Sequence, residues 1–237
     1  MARAVARGWN RPVLCSDPVP GRAQELADEI DGTALASNAE VAARADLVVL
    51  CHKPAQLAEV AAEVAPHARA VASILAATPL ETVREAYPER PVYRFVPSLP
   101  VEVRRGAVVQ AAGHGDVAVS DLFAELGTLV VLDDALLDTA TGLMSCAPAY
   151  VALVAEAQVD AGVRRGLPAA QASQLVIETL AGTAELLRSR GNDTLAVRRE
   201  VASPGGMTAR GLDALERRGL RAAFSEALDA VLDGGRR

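Results

Sequence analysis

A chain of 237 residues suffices for one or two domains and for a core that needs no disulfide or structural metal. A net charge of −6 and an aromatic content of 3% exclude the basic field and stacking rings of a nucleic-acid binder. The widely spaced Cys15, Cys51 and Cys146 fit reduced thiols, and with His52, His67 and His114 they show none of the short spacings of a metal site.

Short apolar runs alternate with helical stretches over the first half, the rhythm of parallel strands joined by crossover helices. Met1–Gly8 reads as a helix closed by glycine, followed by a strand at Val13–Cys15 that stops at Ser16-Asp17-Pro18. A helix over Gly21–Ile30, a strand at Thr33–Ala36, a helix capped by Asn38 and a buried strand within Asp46–Cys51 come next. Leu47–Cys51 and Leu129–Leu132 are among the longest apolar runs and fall far short of the roughly 20 residues of a membrane span. No apolar signal core opens the chain, so the expectation is a soluble, cytoplasmic protein with no membrane partner.

Pro54 opens the next helix, and Ala70–Leu75 and Pro91–Val96 read as strands separated by a helix over Pro79–Ala86. A strand at Ala107–Ala112, a helix at Val117–Leu126 and a strand at Thr128–Leu132 complete a first domain over residues 1–133. In a doubly wound sheet ligands sit beyond the carboxyl ends of the strands. Here those ends are Ser16-Asp17, Cys51-His52-Lys53-Pro54, Ala76-Ala77 and Pro97-Ser98. From residue 134 to 237 the pattern is helical, with segments at Pro148–Val163, Pro168–Arg190, Thr194–Val201, Thr208–Arg217 and Leu220–Leu232. The segment after Pro148 is apolar or small nearly all round and must be covered. So few helices accompany it that the expected cover is a second copy of the chain, giving a homodimer with higher assembly left open.

A sheet that binds a dinucleotide ordinarily opens with a strand, a Gly-x-Gly-x-x-Gly turn and a helix. Here that opening is absent, and Met1–Gly8 resembles the helix that would follow the turn. One explanation is a start that lies upstream; the other is a protein that has abandoned ordinary cofactor binding. The rule that buried backbone groups find partners favours the first. Asp17 stands where an acid binds the ribose 2′-hydroxyl of NAD and repels the 2′-phosphate of NADP, although a turn former before Pro18 is an equal reading.

Ser203-Pro204-Gly205-Gly206-Met207-Thr208 is the most informative segment. Paired glycines let the backbone approach a ligand, and the helix beginning near Thr208 turns free N–H groups and the positive end of its dipole toward a small carboxylate. Taken alone, the same six residues also describe an ordinary capped loop.

Residues 138–230 resemble the C-terminal domain of pyrroline-5-carboxylate reductases. Ala147-Pro148-Ala149-Tyr150, Glu156-Ala157, Asp160-Ala161-Gly162-Val163, Gly166-Leu167-Pro168, Ser203-Pro204-Gly205-Gly206 with Thr208, and Leu215-Glu216 fall in that family's order. Asn38, Asp46, Lys53-Pro54, Arg94 with Pro97 and Pro100, and Gly106 match its nucleotide domain more loosely. The resemblance implies a Rossmann-like α/β dinucleotide-binding domain, lacking its first strand here, followed by an all-α dimerisation domain. It implies NADP or NAD as cofactor and a cyclic imine acid as substrate. Ser203, Pro204, Gly205, Gly206 and Met207 would bind that substrate, with Thr208 on the imine nitrogen. Ser16, Asp17, Asn38, Cys51, His52, Lys53, Pro54 and Ala76 would line the cofactor site. Departures from the family cluster near these positions: Ser145-Cys146-Ala147, Ala76-Ala77, Val96-Pro97-Ser98 and Met207. Where glycine is replaced, the added bulk is expected to shift the backbone. The expected function is therefore reduction of 1-pyrroline-5-carboxylate to proline. The alternatives are a non-catalytic paralogue that keeps the dimer, and a reductase of another imine or 2-keto acid. Lys53, the chain's lone lysine, Cys51, Cys146, His52 and Tyr150 have catalytic readings, but the plainer packing or orienting roles are preferred.

Overall fold

The computed structural model describes residues 1–113 and 115–234; His114, counted above among the histidines without metal spacing, lies outside the described residues. Two compact units result, Met1–Pro148 and Ala149–Arg237. The first runs α1 (Ala2–Trp9), β1 (Leu14–Cys15), α2 (Arg22–Glu29), β2 (Thr33–Ala34), α3 (Asn38–Arg44), β3 (Val48–Leu50), α4 (Leu57–Val64), β4 (Val71–Ser73), α5 (Leu80–Ala86) and β5 (Val92–Pro97). Where a helix supplies the crossover the strands pair in parallel: β1 with β2, β3 with β4, and β4 with β5.

β6 (Gly106–Ala111) breaks that rule by running antiparallel to β5. Only a 3₁₀ turn at Leu99–Val103 joins them, and a parallel return needs about a dozen residues or more. The sheet is therefore parallel wherever a helix makes the crossover and antiparallel at this one step. α6 (Val117–Ala124) restores the crossover and β7 (Gly127–Leu132) lies parallel to β6. The strands form two sheets, β1-β2 and β3-β4-β5-β6-β7, so β1 and β3 each end a sheet and are not paired with one another.

Two apolar clusters cover the larger sheet. One gathers Leu50, Val64, Val71, Leu75 and Val83. The other gathers Trp9, Phe95, Val101, Val108, Phe123 and Leu126, with the Phe95 and Phe123 rings stacked at 3.7 Å. Because both faces are covered, every residue of β5 is buried, and the strand reads as a continuous apolar run broken by Arg94. α1 does not end at Gly8 as expected. Asn10 closes it in the left-handed region at φ 48°, while a Cβ on Gly8 would stand 2.2 Å from the Val101 carbonyl oxygen. That glycine serves close packing, not helix termination.

A short α7 (Leu137–Ala140) and a π-helical turn at Thr141–Ser145 lead into α8 (Ala147–Val163). α9 (Ala169–Ser189), α10 (Thr194–Val201), α11 (Met207–Arg217) and α12 (Leu220–Gly234) follow, with no strand among the described residues. Within the single chain α8 is little covered: Ala155 is its one buried residue among those described, whereas Val151 and Leu153 are 51% and 64% exposed. The described buried hydrophobics of the second unit are Ala155, Ala172 and Val197. By length and composition the helical run Asp134–Val163 is also sufficient to cross a bilayer, which revises the expectation that no apolar stretch approaches that length.

Candidate nucleotide and substrate-anion sites

At the carboxyl end of β1 the side chains are committed to one another. The Ser16 hydroxyl donates to Asn38 Oδ1 at 2.7 Å, and the Asn38 amide donates to Glu63 at 2.9 Å. Asn38 is thus not the cap of α3. Ser37 holds that place, accepting from the Glu40 N–H, and Asn38 as the first helical residue turns its amide toward β1. Asp17 accepts from the Val19 N–H at 2.9 Å and from Arg22 at 3.4 Å, both on Oδ1. It is therefore the turn former the sequence allows, and its Oδ2 has no partner among the described residues.

Beyond β3, the His52 Nδ1 lies 2.9 Å from the Lys53 carbonyl oxygen. A carbonyl can only accept, so this nitrogen carries the proton and, in the neutral ring, leaves Nε2 as an acceptor. Nε2 is buried with no partner among the described residues. Pro54 opens a 3₁₀ turn, Pro54–Gln56, which leads into α4 and which the Gln56 side chain closes by accepting from the Lys53 N–H at 3.1 Å. Cys51 keeps exposed surface, yet protein packed around its sulfur pushes the thiol up to about 12. A thiol raised in this way stays protonated near neutral pH.

The Ala76-Ala77 corner beyond β4 shows how this chain accommodates its departure from the family. Ala77 sits at φ 48°, a left-handed conformation that disfavours a Cβ. A glycine would take this conformation freely, so the alanine here carries local strain. Pro97, the last residue of β5, and Ser98 beyond it are buried; Ser98 Oγ accepts from the Ala107 N–H at 2.9 Å and ties the strand end to β6.

Sequence reading missed the neighbouring ion cluster. The Arg94 guanidinium, 2% exposed, donates to Asp134 at 2.8 Å and to Asp138 at 2.9 Å. Asp134 also accepts from the Leu80 N–H at 3.0 Å, at the start of α5. These bonds fasten α7 and its approach to the ligand end of the sheet. The signal was an arginine inside an otherwise apolar strand, since a buried charge requires a partner.

In the second unit, Ser203 to Gly206 form a turn before α11. Gly205 has φ 71°, and a Cβ on Gly206 would meet Ser203 Oγ at 2.4 Å. Gly205 is thus favoured by its left-handed backbone, and a side chain at Gly206 would displace the Ser203 hydroxyl. No side chain caps the first turn of α11, so its free N–H groups are open to an acceptor. Ser203, Met207 and Thr208 are exposed, and Met207 is 83% exposed. Arg210 reaches back to donate to the Gly205 carbonyl at 2.8 Å. The sequence put no basic residue in the loop, and this arginine, one helical turn along, supports it from outside.

The donors and acceptors at the strand ends fit a nucleotide, because Asp17 Oδ2 and His52 Nε2 are acceptors that a ribose or amide donor would satisfy. Strands ending this way, followed by a helical unit with an open helix start, define the class of nucleotide-binding α/β proteins that carry an added helical unit. Residues 134–237 match the model for pyrroline-5-carboxylate reductase dimerisation, and residues 1–77 match that for coenzyme F420-dependent NADP oxidoreductases. A pyrroline-5-carboxylate reductase of Thermus thermophilus is 37% identical over 98% of this chain and 90% of its own length. One from Synechocystis is 33% identical over the same shares. The structure of the Streptococcus pyogenes 1-pyrroline-5-carboxylate reductase superposes with a TM-score of 0.88 at 26% identity, over 99% of this chain and 94% of that one. A Plasmodium falciparum pyrroline carboxylate reductase, solved with NADP bound, shares the fold at a TM-score of 0.85 and 24% identity, over 98% of this chain and 92% of that one. The chain belongs to the pyrroline-5-carboxylate reductase family.

Proposed function

We propose that the protein reduces 1-pyrroline-5-carboxylate to L-proline in the cytoplasm, as a homodimer, with NADPH or NADH as reductant. The observation that carries this reading is the Ser203–Thr208 loop, with its two glycines and uncapped helix start, in a chain 37% identical to the Thermus thermophilus reductase. The functional boundary is taken at 133/134, where the dimerisation match begins.

The bound nicotinamide would supply the hydride to the C=N carbon. The chain's own part is to hold the acid and orient its nitrogen. The first N–H groups of α11 hold the substrate carboxylate through partial positive charge, and Ser203, Pro204, Gly205, Gly206 and Met207 shape the pocket. The Thr208 hydroxyl orients the imine nitrogen and its proton. No side chain there need ionise: an iminium is most electrophilic with its proton on, and a buried cation beside it would drive that proton off. Ser16, Asp17, Asn38, Cys51, His52, Lys53, Pro54 and Ala76 form the cofactor side. Dimer formation rests on the exposed apolar surface of the helical unit, including Leu215, Leu220 and Phe224 around a groove.

Oxidation of NADPH or NADH by the purified protein with pyrroline-5-carboxylate, followed at the nicotinamide absorbance, tests the reading; absence of turnover with either coenzyme overturns it. Thr208→Ala is expected to lower kcat/KM by about tenfold or more, the effect of one oriented hydrogen bond to a developing charge. The melting temperature should stay put, because Thr208 is exposed and its hydroxyl has no partner among the described residues. Unchanged kinetics would remove this hydroxyl from the mechanism.

A further inference from the structure

We infer that Asp134 is a positioning residue for the coenzyme, holding the Ala76-Ala77 corner in the shape that receives it; the inference rests on the reading above and deepens it. Ala76 and Ala77 are exposed between the buried Leu75 and Thr78, and their N–H groups have no partner among the described residues. These groups are what the corner has to offer a ligand beyond β4. Ala77 adopts φ 48°, a conformation that an alanine keeps only when the chain on both sides of it is held.

The sheet holds one side: the Ile74 N–H donates to the Leu50 carbonyl at 3.2 Å and the Leu75 N–H to Ser73 Oγ at 3.3 Å. The other side is the start of α5, where the neighbouring sequence supplies no fastening. Pro79 precedes that helix and offers no side-chain acceptor to the free N–H groups of its first turn. Asp134, 54 residues away in the chain, takes this place by accepting from the Leu80 N–H on Oδ2 at 3.0 Å. Its Oδ1 accepts from Arg94 at 2.8 Å, and Arg94 lies in the central strand of the larger sheet with 2% of its side chain exposed. Both ends of the corner are therefore tied to one rigid sheet, the second through Asp134. Asp138 binds the same guanidinium at 2.9 Å but makes no bond to Leu80, so it shares the ion cluster without sharing the tie.

The experiment is equilibrium binding of NADPH and NADH, read by the fluorescence of each coenzyme, on variants that cut or replace the tie. Asp134→Ala is expected to weaken both coenzymes by about five- to thirtyfold, since the left-handed strain then depopulates the competent corner and the apparent affinity falls with that population. Asp134→Asn keeps an acceptor for the Leu80 N–H while losing the charge on Arg94, and is expected to weaken binding less; it serves if the alanine variant does not fold. Asp138→Ala should leave both dissociation constants within about twofold. The decisive readout is rescue. Glycine enters the left-handed region without strain, so adding Ala77→Gly to either Asp134 variant is expected to return binding to within about threefold of the unaltered protein. A residue that served stability alone would lower the melting temperature, and its effect on binding would not depend on residue 77. Unchanged coenzyme binding in Asp134→Ala, or a loss that Ala77→Gly does not relieve, overturns the inference. The expected binding pattern without oxidation of either coenzyme by pyrroline-5-carboxylate leaves it standing and removes the proposed reaction. Failure of the unaltered protein to bind either coenzyme overturns both.

Discussion

Ala77 shows at a single position how a departure from the family pattern is absorbed. Its φ of 48° places a Cβ where an L-residue meets the following carbonyl, a strain of about 1 kcal/mol. The surrounding corner holds it there because β4 and the start of α5 are both anchored, the latter by Asp134 accepting from the Leu80 N–H. Ala77→Gly is accordingly expected to stabilise the protein by about 0.5 kcal/mol, the relieved strain being partly offset by glycine's larger unfolded-state entropy. A higher urea midpoint checks this, and a lower one would show that the left-handed conformation carries no strain. Arg94 poses the opposite problem. Its charge is out of water, and the two aspartates that offset it keep 29% and 56% of their side-chain surface. Hydration of the acids limits what the cluster adds to stability, so its main consequence is to fix where α7 leaves the sheet.

At the scale of elements, the packing of α1 on the turn at Leu99–Val103 depends on the absence of a side chain at Gly8. A methyl there would stand 2.2 Å from one backbone oxygen and 2.7 Å from the Leu126 side chain. The leucine can yield, but the carbonyl belongs to a turn held by the bonds of Val101 and Arg104 and cannot. Gly8→Ala gains about 1 kcal/mol of helix propensity and still should destabilise by about 2 kcal/mol or more through overpacking. Chemical denaturation monitored at Trp9, itself buried in this contact, reads the change directly. The antiparallel entry of β6 has an equally local origin. A 3₁₀ turn is all that separates β5 from β6, so the chain has no length in which to cross back, and α6 then resets the direction before β7.

For the whole molecule the decisive fact is the poverty of the second unit's interior. With Ala155, Ala172 and Val197 as its described buried hydrophobics, that unit hides too little apolar area to offset the entropy of ordering its helices. The outward apolar residues of α8 and α12 supply the missing area only when covered, which a second copy of the same surface would do by symmetry in the proposed homodimer. Leu153→Asp, placed on α8 where the leucine is 64% exposed, should convert the dimer to monomer in analytical ultracentrifugation and lower the melting temperature. A protein that is monomeric before the substitution would defeat this account.

Much of this was legible from residue order alone. Strand and helix alternation, the all-helical second half and the glycine-paired loop follow from hydrophobic period and from glycine's freedom, which are local properties. Element ends were also close, because caps and prolines act within a turn of where they stand. Tertiary structure decided the rest, and for a common reason: each case depends on a group distant in sequence. Gly8 is explained by Val101, Arg94 by Asp134 and Asp138, and Asn38 by Ser16 and Glu63. Periodicity cannot report which carbonyl a helix will touch or which donor a carboxylate will claim, because those partners meet only after the chain has folded.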